Sequence, residues 1–320
     1  MKVTVLSTLI VAIIAAIAVP YFANIHIYSI AITVLIWMMF GHSWNLLGGY
    51  TGQISFGHAM FLGIGAYTSM IIVNAFNLDM AVSLLLSGLL AGIVSLVVGF
   101  LIFRLKGPYF ALGTLAFAEI IHIVGRNMKG VTNGGEGMML MNRPTFMGIQ
   151  IFTKEEYFYL ALILAVLITL FVAFLMRSKL GYSFIAIRED QDAAEAMGMN
   201  STVIKSKALF ISAFIAGLTG GFYGLYNKFI DPDMTMSVHM SVEMIFVTVL
   251  GGIGTILGPI IGSTVLISMQ EYLKSVEILQ AFPSLYLIVY GLLIMLVIVY
   301  LPGGLVEGLQ RIRSAIRRES

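Results

Sequence analysis

Apolar runs about as long as a bilayer is thick recur along this chain, separated by short clusters of charge, glycine and proline. A hydrocarbon core of roughly 30 Å needs about 20 apolar residues per helical crossing, each adding about 1.5 Å of rise. The pattern predicts spans near residues 4–23, 28–47, 54–74, 80–103, 108–126, 157–176, 207–228 and 283–301. The stretch from Ser241 to Tyr272 is too long for one crossing, and Gly251, Gly252, Gly254, Gly258 and Pro259 interrupt it. Such a run of helix breakers predicts two short helices meeting at a break. About ten membrane segments result, forming one all-α polytopic transmembrane bundle over residues 1–320.

Composition agrees: of 320 residues 59% are hydrophobic and only 11% charged, more apolar surface than a soluble core can bury. Cysteine is absent, which excludes disulfides and thiolate metal sites. The net charge of +2 says little, whereas the placement of the basic residues says more. Putting both termini in the cytoplasm places twelve Lys and Arg inside and six outside, in the sense of the positive-inside rule. A single crossing at the broken segment would put the Arg-rich tail outside, so two short crossings are expected there. At the N-terminus, Lys2, the run Val3 to Val19 and Pro20 could form a cleaved signal peptide. Because the run continues through Tyr21 to Ala23, a retained first span is expected instead. The basic tail 303–320, with Arg311, Arg313, Arg317 and Arg318, is expected to lie against anionic lipid headgroups rather than nucleic acid.

Lipid tails give helices no hydrophobic reason to associate, so close contact through small residues must hold the bundle. The pairs Gly88/Gly92, Gly217/Gly221, Gly220/Gly224 and Gly258/Gly262 have that spacing. A different cluster, Gly48-Gly49-Tyr50-Thr51-Gly52-Gln53-Ile54-Ser55-Phe56-Gly57-His58, puts glycines, an amide, a hydroxyl and an imidazole at the start of a span. Irregular backbone at membrane depth must be buried in protein or line a watery cavity. Gln53, Ser55, Phe56 and His58, with Gly252, Gly254 and Thr255 of the broken segment, are therefore candidates for the wall of a translocation path or for a simple helix bend. Glu119, His122 and Arg126 fall on one helix stripe, and a charge at the bilayer centre costs about 2.5 to 3.5 kcal/mol. The stripe should face the bundle interior, where Glu119 and His122 could line a path, relay protons, or merely pair. Glu243 is expected to reach a membrane interface. The turn-rich loop Gly130 to Gly137 reads as a connector or the rim of an outer mouth.

Residues 177–207 break the oily pattern with nine charged side chains. Glu189, Asp190 and Asp192 crowd the start of a short helix, where the macrodipole favours negative charge, and Gly198 stands where it should stop. Ala193, Ala196 and Met197 would share one face; Gln191, Asp192 and Glu195 would share the other. Asn200, Ser201 or Thr202 should cap the helix that follows. A compact two-faced cytoplasmic helix of this kind can dock into a groove on another protein. No HExxH, GxSxG or phosphate-binding GxxxxGK[ST] occurs, and Leu257 stands where a GxGxxG would need its last glycine. The chain is therefore expected to bind no cofactor and to hydrolyse no ATP of its own.

The stretches Gly52 to Ala59, Thr132 to Gly137, Ala186 to Ala194 and Gly251 to Pro259 resemble, in order, the signature segments of permeases from Liv-type branched-chain amino-acid ABC importers, the M subunit more than the H. Asn133 stands where many relatives have another small residue. The resemblance implies a bacterial inner-membrane permease that works with a homologous second permease, two ATPase subunits that hold the ATP, and an extracytoplasmic binding protein. It also implies that Arg188, Glu189, Asp190, Asp192, Ala193, Ala194, Glu195 and Gly198 belong to the coupling helix seated on an ATPase. Permeases for urea and short amides fall in the same family. A proton-coupled secondary transporter using Glu119 and His122, and a non-transporting scaffold, are the readings from other classes.

Overall fold

A computed structural model of the chain describes residues 24–105 and 107–275, together with 288–289, 291–292, 295, 299–301 and 303–308 near the C-terminus. The expected first span, the signal-peptide alternative, most of the expected span at 283–301 and the Arg311 to Arg318 cluster lie outside the described residues. Within them, seven helical segments are long and apolar enough to cross a membrane, fewer than the ten expected from the whole chain.

Helix α1 (Ile25–Trp44) runs on into a π-helical turn (Asn45–Tyr50). After an irregular loop come α2 (Ala59–Phe76), α3 (Met80–Ile102), α4 (Pro108–Asn127) and α5 (Lys154–Leu175). Two shorter helices, α6 (Lys179–Glu189) and α7 (Gln191–Ala196), precede the long α8 (Ser201–Asn227). A short α9 (Pro232–Met236) leads into α10 (Val238–Gly251), and α11 (Leu257–Ser275) follows the break. Side-chain caps mark where these helices start: Asn24 for α1, Asp79 for α3, Asn200 for α8, and a reciprocal Thr153/Glu156 capping box for α5.

The centre of the bundle is α8, packed between α2, α3 and α1, and it is the most buried of the spans. Its glycines explain why. A Cβ on Gly220 would lie 1.9 Å from the Leu62 carbonyl oxygen, and one on Gly217 would lie 2.5 Å from the Ala91 Cβ. Gly88 and Gly92 on α3 receive the rings of Phe214 and Phe210. All four small-residue pairs named from spacing thus lie at close contacts. The outward surfaces of α3 and α5 carry Leu85, Leu89, Val97, Phe100, Ile163, Leu167 and Phe174, exposed as a lipid-facing belt should be.

The broken segment is a helical hairpin. Gly251 approaches the backbone of Gly258, Gly262 approaches the Val247 carbonyl, and Gln270 donates to Glu243 at 2.9 Å, so α10 and α11 run antiparallel from the break outward. Glu243 is therefore buried between the two helices, a partner its isolation in sequence did not show. Loops at the far end of the bundle form a cap, in which β1 (Met138–Met139) pairs with β4 (Phe229–Ile230) and β2 (Thr145–Phe146) with β3 (Ile149–Gln150). Asn74 ties α2 to this cap through Met139 and Met141. Thr132 ties the Gly130 to Gly137 loop to the end of α4 by donating to the Gly125 carbonyl, and Asn133 folds the loop back on itself by donating to the Gly137 carbonyl at 2.9 Å.

Candidate functional site

At the end of the bundle away from the cap, the charged stretch forms two helices rather than one. Glu189 closes α6, Asp190 adopts an extended conformation (φ −157°), and its carboxylate accepts from Ala193 N at 2.9 Å to start α7. Gly198 ends the element with φ +86°, a backbone geometry that favours glycine. The two faces of α7 differ in what they meet. Gln191 donates to Glu195 at 2.9 Å and to Ser201 at 3.2 Å, and accepts from the buried Lys205 ammonium at 2.6 Å. Ser201 also donates to Glu195. This network and the buried Ala194 seat α7 on the first turns of α8. Ala193, Ala196 and Met197 point outward, Met197 with 83% of its surface exposed, and Asp192 joins them on the exposed side.

Beneath α6 the irregular elements converge. Asn45, fully buried, accepts from Gly254 N and donates to the Thr255 carbonyl, each at 2.8 Å, so one side chain stitches the π-turn to the hairpin break. Gly252 and Gly254 take φ values of +135° and +70° there, and Thr255 closes the break by donating to Gly252 O and accepting from Gly258 N. Arg188 reaches across from α6 and donates to the Gly49 carbonyl at 3.1 Å. Its other edge meets the neighbouring Glu189 carboxylate at 2.6 Å.

The loop carrying Gln53, Ser55, Phe56 and His58 is anchored on several sides. Trp44 donates to Ser55 O, Phe56 N donates to Thr114 of α4, and Ala59 N donates to Ser241 of α10. Gln53 holds Leu47 O through its own N–H. His58 is completely buried, its Nε2 at 2.9 Å from Ser43 Oγ and 2.8 Å from Ser212 Oγ. Each of those hydroxyls donates to the other serine's carbonyl, so both have only lone pairs left for the ring, and Nε2 carries the proton. Phe40 and Phe61 flank the imidazole.

Glu119 and His122 stand apart from that junction, toward the cap end of α4. His122 Nδ1 lies 3.6 Å from Glu119, and its Nε2 lies 2.8 Å from Asp233, which also sits 3.5 Å from Arg126. Asp233, a residue no linear spacing connects to His122, completes the cluster. Glu119 lies mid-span with its side chain 47% exposed, on the least buried of the seven spans. The structure therefore gathers the sequence candidates into two groups: Arg188, Gly252, Gly254 and Thr255 at one end with the anchored Gln53 to His58 loop near it, and Glu119 with His122 toward the other. Sequence reasoning missed Asn45, Asp233, Ser43, Ser212 and the Lys205 anchor, which are joined to their partners only by folding.

With this geometry in view, comparison with known proteins places the chain. Residues 26–298 match the family described as branched-chain amino acid transport system, permease component. The chain is 28% identical to the high-affinity branched-chain amino acid transport system permease protein LivM of Salmonella typhimurium, over 91% of this chain and 72% of that protein. It is likewise 28% identical to LivM of Escherichia coli, over 93% of this chain and 74% of that protein. The permease protein LivH of Escherichia coli is 26% identical over 82% of this chain and 88% of its own length. No solved structure matches.

Proposed function

The chain belongs to the permease family of branched-chain amino-acid transport systems, a multi-pass membrane family, and from that premise we propose that it is one membrane subunit of an ATP-driven importer. Its cargo is a branched-chain or related small amino acid, delivered as a zwitterion by an extracytoplasmic binding protein in a bacterial inner membrane. A homologous second permease completes the conduit, consistent with the likeness of this one chain to both LivM and LivH. Two partner ATPases supply the energy.

The observation that carries the coupling part is the outward Ala193/Ala196/Met197 face on a helix held firmly from behind by Gln191, Glu195, Ser201 and Lys205. A rigid apolar knob passes a push on to the helix it is seated on, here α8 at the centre of the bundle. Glu119 supports the placing of the path, because a half-exposed carboxylate in mid-span faces water or a partner rather than lipid. The open surface of α4 is then the side turned to the second permease and the cargo.

The test is uptake of radiolabelled leucine, isoleucine and valine by proteoliposomes, with urea and acetamide as competitors. Uptake should require ATP, both ATPases, the second permease and the binding protein. Deleting residues 189–198 should abolish ATPase association while the bundle still elutes as a folded species in detergent. Uptake by the chain alone under a proton gradient, lost on Glu119→Gln, would instead establish a secondary transporter.

A further inference from the structure

We propose that Arg188 is the positioning residue through which displacement of α7 reaches the break between α10 and α11; the proposal rests on the reading of α7 as the seat for an ATPase. Arg188 lies in the last turn of α6, one residue before Glu189 and two before the Asp190 cap that starts α7, so it travels with the exposed knob. Its side chain lies against bare backbone from two separate elements, the aliphatic stem against Gly52 and the guanidinium against Gly254. A Cβ on Gly52 would fall 2.9 Å from Arg188 Cγ, and one on Gly254 would fall 2.9 Å from Nη1. Both glycines have positive φ, +72° and +70°, so side chains are disfavoured on the surface that receives the arginine.

Charge gives the position its meaning. The α1/π-turn unit ends at Tyr50 and α10 ends at Gly251, so two helix C-termini converge beside Arg188. Each presents carbonyls without a helical partner and the negative end of a macrodipole. Arg188 donates to one such carbonyl, Gly49 O, and Asn45 bonds the same π-turn to Gly254 and Thr255. The cation thus closes a chain that runs from the exposed Glu189 carboxylate through the guanidinium and the π-turn to the hairpin break. A guanidinium holds its donors in one rigid plane, so turning the edge that faces Glu189 turns the edge that faces Gly49. A lysine ammonium keeps the charge and lacks that plane.

The experiment uses the complete importer in liposomes, with this chain carrying Arg188→Ala or Arg188→Lys. The chain has no cysteine, so Ile253→Cys, exposed at the break, introduces a single reporter on it. With Arg188 present, the rate at which a thiol reagent labels position 253 should shift when ATP is added. In Arg188→Ala, ATPase association and hydrolysis should persist, uptake per ATP should fall at least tenfold, and the labelling rate should no longer respond to ATP. Arg188→Lys should be intermediate. Unchanged uptake per ATP with intact ATP-dependent labelling in Arg188→Ala would overturn the proposal while leaving the coupling reading standing. Failure of the unsubstituted chain to bind the ATPases would overturn both. If Arg188→Ala does not assemble, Arg188→Lys decides: uptake per ATP equal to that of the unsubstituted chain overturns the proposal, and a several-fold loss in an assembled complex sustains it.

Discussion

Gly220 shows how little room the centre of the bundle leaves. The Leu62 carbonyl oxygen stands 1.9 Å from where its Cβ would be, and this neighbour is backbone, which cannot rotate away as a side-chain tip can. Gly220→Ala should therefore force α8 and α2 apart, at a cost of about 1 to 3 kcal/mol, read as a lowered thermal midpoint of the detergent-solubilised chain. Gly130→Ala, where nothing lies within 4 Å, should leave the midpoint unchanged. The spacing of Gly220 and Gly224 announced a packed face, because a repeat of four residues returns to one side of a helix. His58 was legible only as a polar residue at a helix start. Its partners Ser43 and Ser212 lie 15 and 154 positions away, and no local pattern carries that information. Asp233 escaped for the same reason, since it meets His122 across 111 positions.

At the scale of elements, breaks and stops were written in residue type, whereas hinges were not. Glycines and a proline marked the hairpin between α10 and α11, and Gly198 marked the end of α7. The start of α7 was marked by the acidic residues around Asp190, whose carboxylate caps it, but nothing announced that α6 would run right up to Glu189 and leave the two helices divided at that one extended residue. The amphipathic split of α7 was readable only in part: Asp192, expected beside Gln191 and Glu195, stands on the outward side, and the side facing the protein could be identified only once Lys205 and Ser201 were seen to hold Gln191 and Glu195. The exposed face then makes a sharp prediction. Met197→Glu puts a carboxylate on the proposed docking surface without touching the anchoring network, and should weaken ATPase association at least tenfold, about 1.4 kcal/mol, in a pull-down titration. Asn133→Ala, in the loop at the opposite end, should not change it.

For the whole molecule, the question is which end faces the cytoplasm, and the charges divide less decisively than the full sequence implied. Arg104, Arg177, Lys179, Arg188, Lys205 and Lys207 lie at the end that carries α7, while Arg126, Lys129, Arg143, Lys154, Lys228 and Lys274 lie at the capped end. The described basic residues are thus balanced, and the twelve-to-six bias rests on Lys2, Lys106 and the four arginines of the tail. The fold supplies a direct test. One candidate span, α5, separates the exposed Met141 in the cap from the exposed Met197 on α7, so the two must lie on opposite sides of the membrane if α5 crosses it. With Met141→Cys and Met197→Cys made separately in the cysteine-free chain, a membrane-impermeant maleimide applied to intact spheroplasts should label position 141 and spare position 197. Inverted vesicles should give the reverse. Labelling of both from one side would mean that α5 does not cross, whereas the two positions exchanging roles would place the α7 knob outside, where no ATPase can push it.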